Sequence, residues 1–271
     1  SFGYGLHSQL QPLGVYFSQQ YPDGLAAATP NRSLGLSKAH HLVFGYDHLI
    51  NEHSHIKLET YYQYLFNIPI STDASNPFSI LNVVDGYTTL PLINKGLGRN
   101  QGLELTYERF LHKNLYYLLS ASLYDSKYKA ADGHWYNTRF NTNNALSFTA
   151  GKEWILSNKG KQRVVGLNVK SIYVGGFRYT PVDLQASIAA GAERYDNSQV
   201  FTKKNPDYYR LDIRVSLKRN FKHLTSTLAL DIQNVTNRKN VGGQYFDAAS
   251  GTIKYWSQAP LLPLLSYRLE F

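Results

Sequence analysis

Between Tyr209 and Lys218 the chain changes character at every residue. Tyr209, Leu211, Ile213, Val215 and Leu217 alternate with Arg210, Asp212, Arg214, Ser216 and Lys218. A period of two belongs to an extended strand, whose side chains point alternately to opposite faces. A face of four charges and a serine belongs in water, so this strand has one wet side and one apolar side. The same period recurs at about Ala39–Ile50, Ile56–Phe66, Gln101–Leu111, Leu115–Lys127, Asn143–Ile155, Arg163–Val174, Leu224–Val235 and the chain end, which makes nine strands. Their connections alternate in length. Tight turns lie at 51–55, 112–114, 157–162 and 220–223, and long connections at 67–100, 128–142, 175–206 and 236–258. Connections longer than about 12–15 residues are uncommon in compact soluble domains, whereas short turns at one rim and long loops at the other are the rule in outer-membrane barrels.

The chain ends APLLPLLSYRLEF, with Leu261, Pro263, Leu265, Tyr267, Leu269 and Phe271 on one face and Ser266, Arg268 and Glu270 on the other. Taken alone, this stretch fits the closing strand of a barrel or the edge of a soluble β-sandwich. An odd count of nine strands cannot make a complete bacterial barrel, which normally has an even number. The chain also has no methionine, even at position 1, and opens without a secretory signal. Both features lead to the expectation of a piece of a longer protein. Residues 1–37, with Pro12, Pro22, Pro30 and several glycines, read as a long surface loop.

Composition narrows the class further. No run of about 18 apolar residues exists, which excludes a transmembrane helix and is silent about strands. The mean hydropathy of −0.36 is that of a soluble protein, but a large barrel scores the same way because alternate strand residues face a wet lumen. Twenty-two tyrosines, 13 phenylalanines and three tryptophans suit surfaces that are apolar on one side and wet on the other. The net charge of +9 raises nucleic acid as a partner. The basic residues, however, are interleaved with acidic ones, as in Lys57 with Glu59 and Arg210 with Asp212, so nucleic acid is not expected. With no cysteine there is neither a disulfide framework nor a thiolate metal site.

Several runs are also familiar in order: HHLVFGYDHLI at 40–50, NKGLGRNQGLELTYERF at 94–110, SLYDSKYKAADGHWYNTRFN at 122–141, VGGFRYTPVDLQASIAAG at 174–191, LALDIQNVTNRKNV at 228–241 and the ending LLSYRLEF. Together they resemble the C-terminal half of TonB-dependent outer-membrane receptors over nearly the whole chain. The resemblance implies an all-β fold: the C-terminal part, residues 1–271, of a 22-stranded transmembrane antiparallel barrel, with short periplasmic turns and long extracellular loops. It implies uptake of a scarce nutrient such as a siderophore, another metal chelate or an oligosaccharide, with energy passed through TonB to a plug upstream of this sequence. Outer-membrane lipid and lipopolysaccharide are the implied surroundings. The family's terminal strand, read by the barrel assembly machinery, falls on Tyr267, Leu269 and Phe271.

Constellations for chemistry are sparse, and neither an enzyme nor a bound cofactor is expected. His40 and His41 point to opposite faces. Glu52, His53 and His55 read as solvated turn residues, with no HExxH spacing. Gly96, Gly98 and Gly102 have GxGxxxG spacing with no following helix, and read as glycines that let a loop close onto a strand. Asn31-Arg32-Ser33 and Asn234-Val235-Thr236 match a glycosylation pattern that has no force in a bacterial barrel. Glu104 and Glu108 are expected to face the lumen with Arg210, Asp212 and Arg214, as partners for Arg and Lys rather than an acid–base pair. In the third long loop Phe177, Arg178, Tyr179, Arg194 and Tyr195 combine cations with aromatics. They are the candidate contacts for an anionic or aromatic chelate, or else Arg178 and Tyr179 pin the loop inside the barrel mouth. Two other readings compete: a soluble secreted β-sandwich binding glycans, and a porin or autotransporter barrel.

Overall fold

The structure is a computed structural model describing residues 1–21, 28–84, 86–158 and 161–271. Pro22 and the centre of the 157–162 turn lie outside these. In chain order the elements are β1 (Phe2–Gln9), α1 (Leu13–Tyr16), β2 (Ser37–Asn51), β3 (Ser54–Ser71), β4 (Leu92–His112), β5 (Leu115–Lys129) and β6 (Trp135–Asn137). Then follow β7 (Asn144–Asn158), β8 (Lys161–Val174), β9 (Arg178–Tyr179), α2 (Leu184–Ala190) and β10 (Lys203–Lys204). The chain ends with β11 (Tyr208–Asn220), β12 (Thr225–Gln233), β13 (Val241–Asp247), β14 (Thr252–Ser257) and β15 (Leu262–Glu270).

Ten strands form one antiparallel meander in the order β1-β2-β3-β4-β5-β7-β8-β11-β12-β15, with β6 added beside β5. The expected count of nine is therefore one short. Residues 2–9 are not loop: Phe2, Tyr4 and Leu6 alternate with Gly3, Gly5 and His7, and all eight residues pair with β2. With β1 included the alternation of connection lengths still holds from end to end. β3 and β4 also run further than their patterns suggested, to 18 and 21 residues. Pro69 is tolerated in β3 because the pairing with β4 is irregular around Ile68 and Pro69. Gly96 lies within β4, opposite Ile68, rather than in a loop, and the close approach of β3 requires glycine there, since a Cβ would meet Ile70 Cγ2 at 2.4 Å and Ile68 O at 2.7 Å.

Pairing register sorts the side chains onto two faces, since residues opposite each other across strands share a face. One row reads Tyr46, Leu58, Leu105, Ala121, Leu146, Tyr173, Tyr209 from β2 across to β11. The adjacent row reads Asp47, Lys57, Thr106, Ser120, Ser147, Ile172, Arg210. A single step along the strands thus switches the whole width of the sheet from apolar to predominantly polar. These rows also climb. Tyr46 sits towards the short-turn end of β2, whereas Tyr209 is the second residue of β11, next to a long connection. Such stagger is what a barrel requires of its hydrogen-bond register.

Little of this sheet is covered. Most of the buried hydrophobic residues, including Val15, Ile68, Ile70, Tyr128, Val182 and Val200, gather at the long-connection end. The apolar face exposes Leu42, Phe44, Tyr46, Leu58, Phe148, Val215 and Leu228 among others. A β-sandwich would bury that face against a second sheet about 10 Å away. Among the described residues the other two sheets are two-stranded pairs, β9 with β10 and β13 with β14, so the sandwich reading fails. Among the described residues no helix is long and apolar enough to cross a membrane, which says nothing of strands.

Candidate functional site

The long connections converge at one end of the sheet and enclose a pocket of about 310 Å³. Its walls come from four separate stretches: Asn76–Asn82 after β3, Tyr128 and Arg139 around the β5–β7 connection, Arg178–Phe201 after β8, and Gln244 in β13. Helix α2 helps shape the third stretch. Asp183 Oδ1 accepts from Ala186 N at its start, and Gly191 closes it in the left-handed conformation at φ 61°. The β13–β14 hairpin is tied on by Gln244 Nε2 donating to Thr180 O at 3.5 Å and by Phe246 N donating to Glu193 Oε2 at 2.9 Å.

Of the five residues singled out in the sequence, Arg178, Tyr179 and Tyr195 line this pocket. Phe177 packs edge-on against Phe140, with centroids 6.2 Å apart. Arg194 has an exposed side chain and enters the loop frame through its backbone, which exchanges hydrogen bonds with Ser187. Arg178 is committed to the loop. Its Nε donates to Asn141 O at 2.8 Å, Nη2 to Asn143 Oδ1 at 3.1 Å and Nη1 to Phe201 O at 3.5 Å. Desolvation by burial pulls its pKa below the usual guanidinium value. Of the two roles left open for Arg178, pinning the loop is the one its bonds describe. Tyr195 donates to Glu193. Burial, then that hydrogen bond and the carboxylate's charge, push its hydroxyl up to about 12, with the charge of Arg139 pulling the other way.

Two pocket residues had no signal in the sequence. Arg139 contributes a guanidinium that makes no hydrogen bond or ion pair among the described residues, while its backbone N donates to Asn82 Oδ1 at 2.8 Å. That bond fixes the Asn82 amide so that its Nδ2 is the free donor, and this atom is buried without a partner. They are brought together from residues far apart in the chain, so no spacing could have shown them.

On the sheet, the register places Arg210, Asp212, Arg214, Glu104 and Glu108 on one face. Arg210 Nε meets Asp212 Oδ1 at 2.7 Å, and Arg214 Nη1 reaches Asp231 Oδ2 at 3.0 Å. Glu104 and Glu108 make no direct ion pair with Arg or Lys among the described residues. Glu104 stands opposite Glu59, whose partner at 2.8 Å is Lys57, and Glu108 is 3.6 Å from His55 Nδ1. Nor is His55 a solvated turn residue. It lies in β3 with 17% of its side chain exposed, between Glu108 and Asp47. His53 stacks on His112 with centroids 3.7 Å apart. Among the described residues no group of three potential metal ligands forms. Tyr267 and Leu269 sit in β15 opposite Leu228 and Ser226 of β12, and Phe271 follows at the chain end, 96% exposed.

No curated protein sequence matches the chain significantly. The model of the family described as TonB dependent receptor-like, beta-barrel matches residues 1–235, which takes in nine of the ten meander strands and most of the pocket. Such barrels belong to outer-membrane transporters rather than to an enzyme family, and the family as a whole works with TonB. The staggered ten-stranded meander, apolar on one face and polar on the other with its long connections gathered at one end, therefore belongs to the TonB-dependent receptor β-barrel family.

Proposed function

We propose that this chain is the C-terminal part of the barrel of a receptor in the outer membrane of a Gram-negative bacterium. The receptor takes up a scarce nutrient, such as a siderophore, another metal chelate or an oligosaccharide, in a TonB-dependent way. The observation that carries this is the switch from the Tyr46–Tyr209 row to the Asp47–Arg210 row, which supplies a lipid face and a lumen face across the sheet. In this reading Arg210, Asp212, Arg214, Glu104 and Glu108 face the lumen. Tyr267, Leu269 and Phe271 are read by the barrel assembly machinery, and TonB acts through a plug that lies outside this sequence. Phe177, Tyr179, Arg194 and Tyr195 are the loop residues placed to meet cargo, with Arg178 holding their frame. The net charge of +9 favours anionic cargo.

The test is uptake in cells lacking the receptor gene, complemented or not, across ferric chelates, haem, cobalamin and oligosaccharides, each with and without TonB. Uptake of one class should need both receptor and TonB. Uptake indifferent to TonB, or partition of the protein into buffer without detergent, would reject the reading. A neutral glycan bound with the same affinity at low and high salt would count against anionic cargo.

A further inference from the structure

The 310 Å³ pocket holds two cations, Arg139 and Arg178, and no carboxylate among its lining residues. Arg178 has its acceptors, and the nearby acids have other work. Glu193 bonds Tyr195 and the Phe246 amide, and Asp196 Oδ1 accepts from Ser198 Oγ at 2.6 Å. Arg139 is left with a guanidinium and no acceptor among the described residues. A second observation is independent of it: Asn82 lines the same pocket, and its Nδ2 is buried and donates to nothing. A buried amide N–H without a partner is rare and calls for an acceptor from outside the protein. The 2.8 Å bond from Arg139 N to Asn82 Oδ1 joins the two residues at one wall of the pocket, and the donors each leaves unused point to an acceptor that the protein does not supply.

We infer that Arg139 and Asn82 form a subsite for a carboxylate carried on a flat, unsaturated ring. The planar fork of Arg139 matches a carboxylate edge with two parallel bonds. Asn82 Nδ2 adds a third donor that a neutral amide or an ether oxygen would use less well. The other walls are aromatic: Phe78, Tyr179, Tyr195 and Phe201. The volume is roughly ten waters' share at about 30 Å³ each, enough for one ring and its acid group and too small for an oligosaccharide. This deepens the receptor reading, resting on it for the fate of the ligand but not for the binding itself.

The test is calorimetric titration of the full receptor in detergent micelles with salicylate, and with salicylamide as the neutral analogue. Salicylate should bind saturably and at least about tenfold more tightly than salicylamide, the margin expected for bonds to a charged partner. Arg139→Gln should bring salicylate down to the level of the amide, with Arg139→Lys in between. Equal binding of the two probes, no saturable binding, or an unchanged affinity in R139Q would overturn the subsite. Retention of the heat-resistant barrel band on gels controls for folding. Should R139Q fail that control, Asn82→Asp decides, because a carboxylate beside Arg139 occupies its charge, and unchanged salicylate binding there would equally overturn the inference. The two readings fail separately. Uptake that is indifferent to TonB while salicylate binding is intact counts against the receptor alone, whereas salicylate binding lost with TonB-dependent uptake intact counts against the subsite alone.

Discussion

Replacing Arg178 with alanine removes a guanidinium that has three acceptors in the loop layer, Asn141 O and Asn143 Oδ1 in the β5–β7 connection and Phe201 O further along its own. The two bonds at 2.8 and 3.1 Å carry most of the effect, since the third at 3.5 Å is at the limit of a hydrogen bond. A bond from a charged donor contributes ~1.5–3 kcal/mol. Arg178 is only half-buried, so solvent screening brings the pair to roughly 2–4 kcal/mol. Because the loops open locally rather than with the whole barrel, this loss should appear as faster amide exchange there and nowhere else. At ~1.4 kcal/mol per factor of ten, protection of the Arg178 and Asn205 amides should fall by roughly 30- to 1,000-fold. Those two amides donate to Arg139 O and Phe177 O, each at 3.0 Å. Arg194→Ala, whose side chain is exposed, should leave them unchanged. Hydrogen exchange read by mass spectrometry on the receptor in micelles makes the comparison. Equal protection in R178A and R194A would refute the assignment of Arg178 to the loop frame.

Other perturbations follow from the same geometry. A Cβ at Gly176 would lie 1.7 Å from Asn205 O, a backbone atom that cannot swing away, so Gly176→Ala should cost on the order of 3 kcal/mol or more in loop docking. The expected result is rapid proteolysis between 175 and 206 with the barrel band intact. Tyr195 has a folded pKa of about 12, above the ordinary value near 10. Its tie to Glu193 should hold in full below pH 10 and be lost as pH rises towards 12, seen as a tyrosinate absorbance step that Tyr195→Phe removes. Ile213→Lys puts a charge on the apolar face and should cost ~2–4 kcal/mol in refolding into vesicles, while Ser216→Lys on the other face should cost close to nothing.

Much of the wall was legible in sequence because each strand needs only one wet and one apolar face, and period two records that choice. Tyr209–Lys218 shows it without ambiguity. β1 escaped because its polar-face positions are Gly3, Gly5 and His7, and glycines beside Pro12 and Pro22 read as punctuation. What makes 2–9 a strand is the waiting edge of β2, a tertiary fact. The signals for α2 were present, with Asp183 as cap and Gly191 as stop, but only seven residues lie between them. The pocket was half legible. Tyr179, Arg178 and Tyr195 stand close in the chain and advertise cation plus aromatic, yet which arginine is free depends on what each one meets. Asn141, Asn143 and Phe201 take Arg178, and nothing among the described residues takes Arg139. No local pattern carries that distinction, because the acceptors lie far along the chain, Asn141 and Asn143 in another connection and Phe201 late in the same one.

A strand in a barrel wall turns one face to lipid and the other to water, and the absence of cysteine from this sequence makes that directly measurable. Single cysteines placed in turn at 211, 212, 213, 214, 215 and 216 in intact outer membranes would be challenged with a water-soluble maleimide. Labelling should alternate, strong at 212, 214 and 216 and weak at 211, 213 and 215, with the weak positions reacting instead with a lipid-soluble reagent. Uniform labelling along β11, or an alternation that persists unchanged in protein dissolved without lipid or detergent, would contradict the barrel wall.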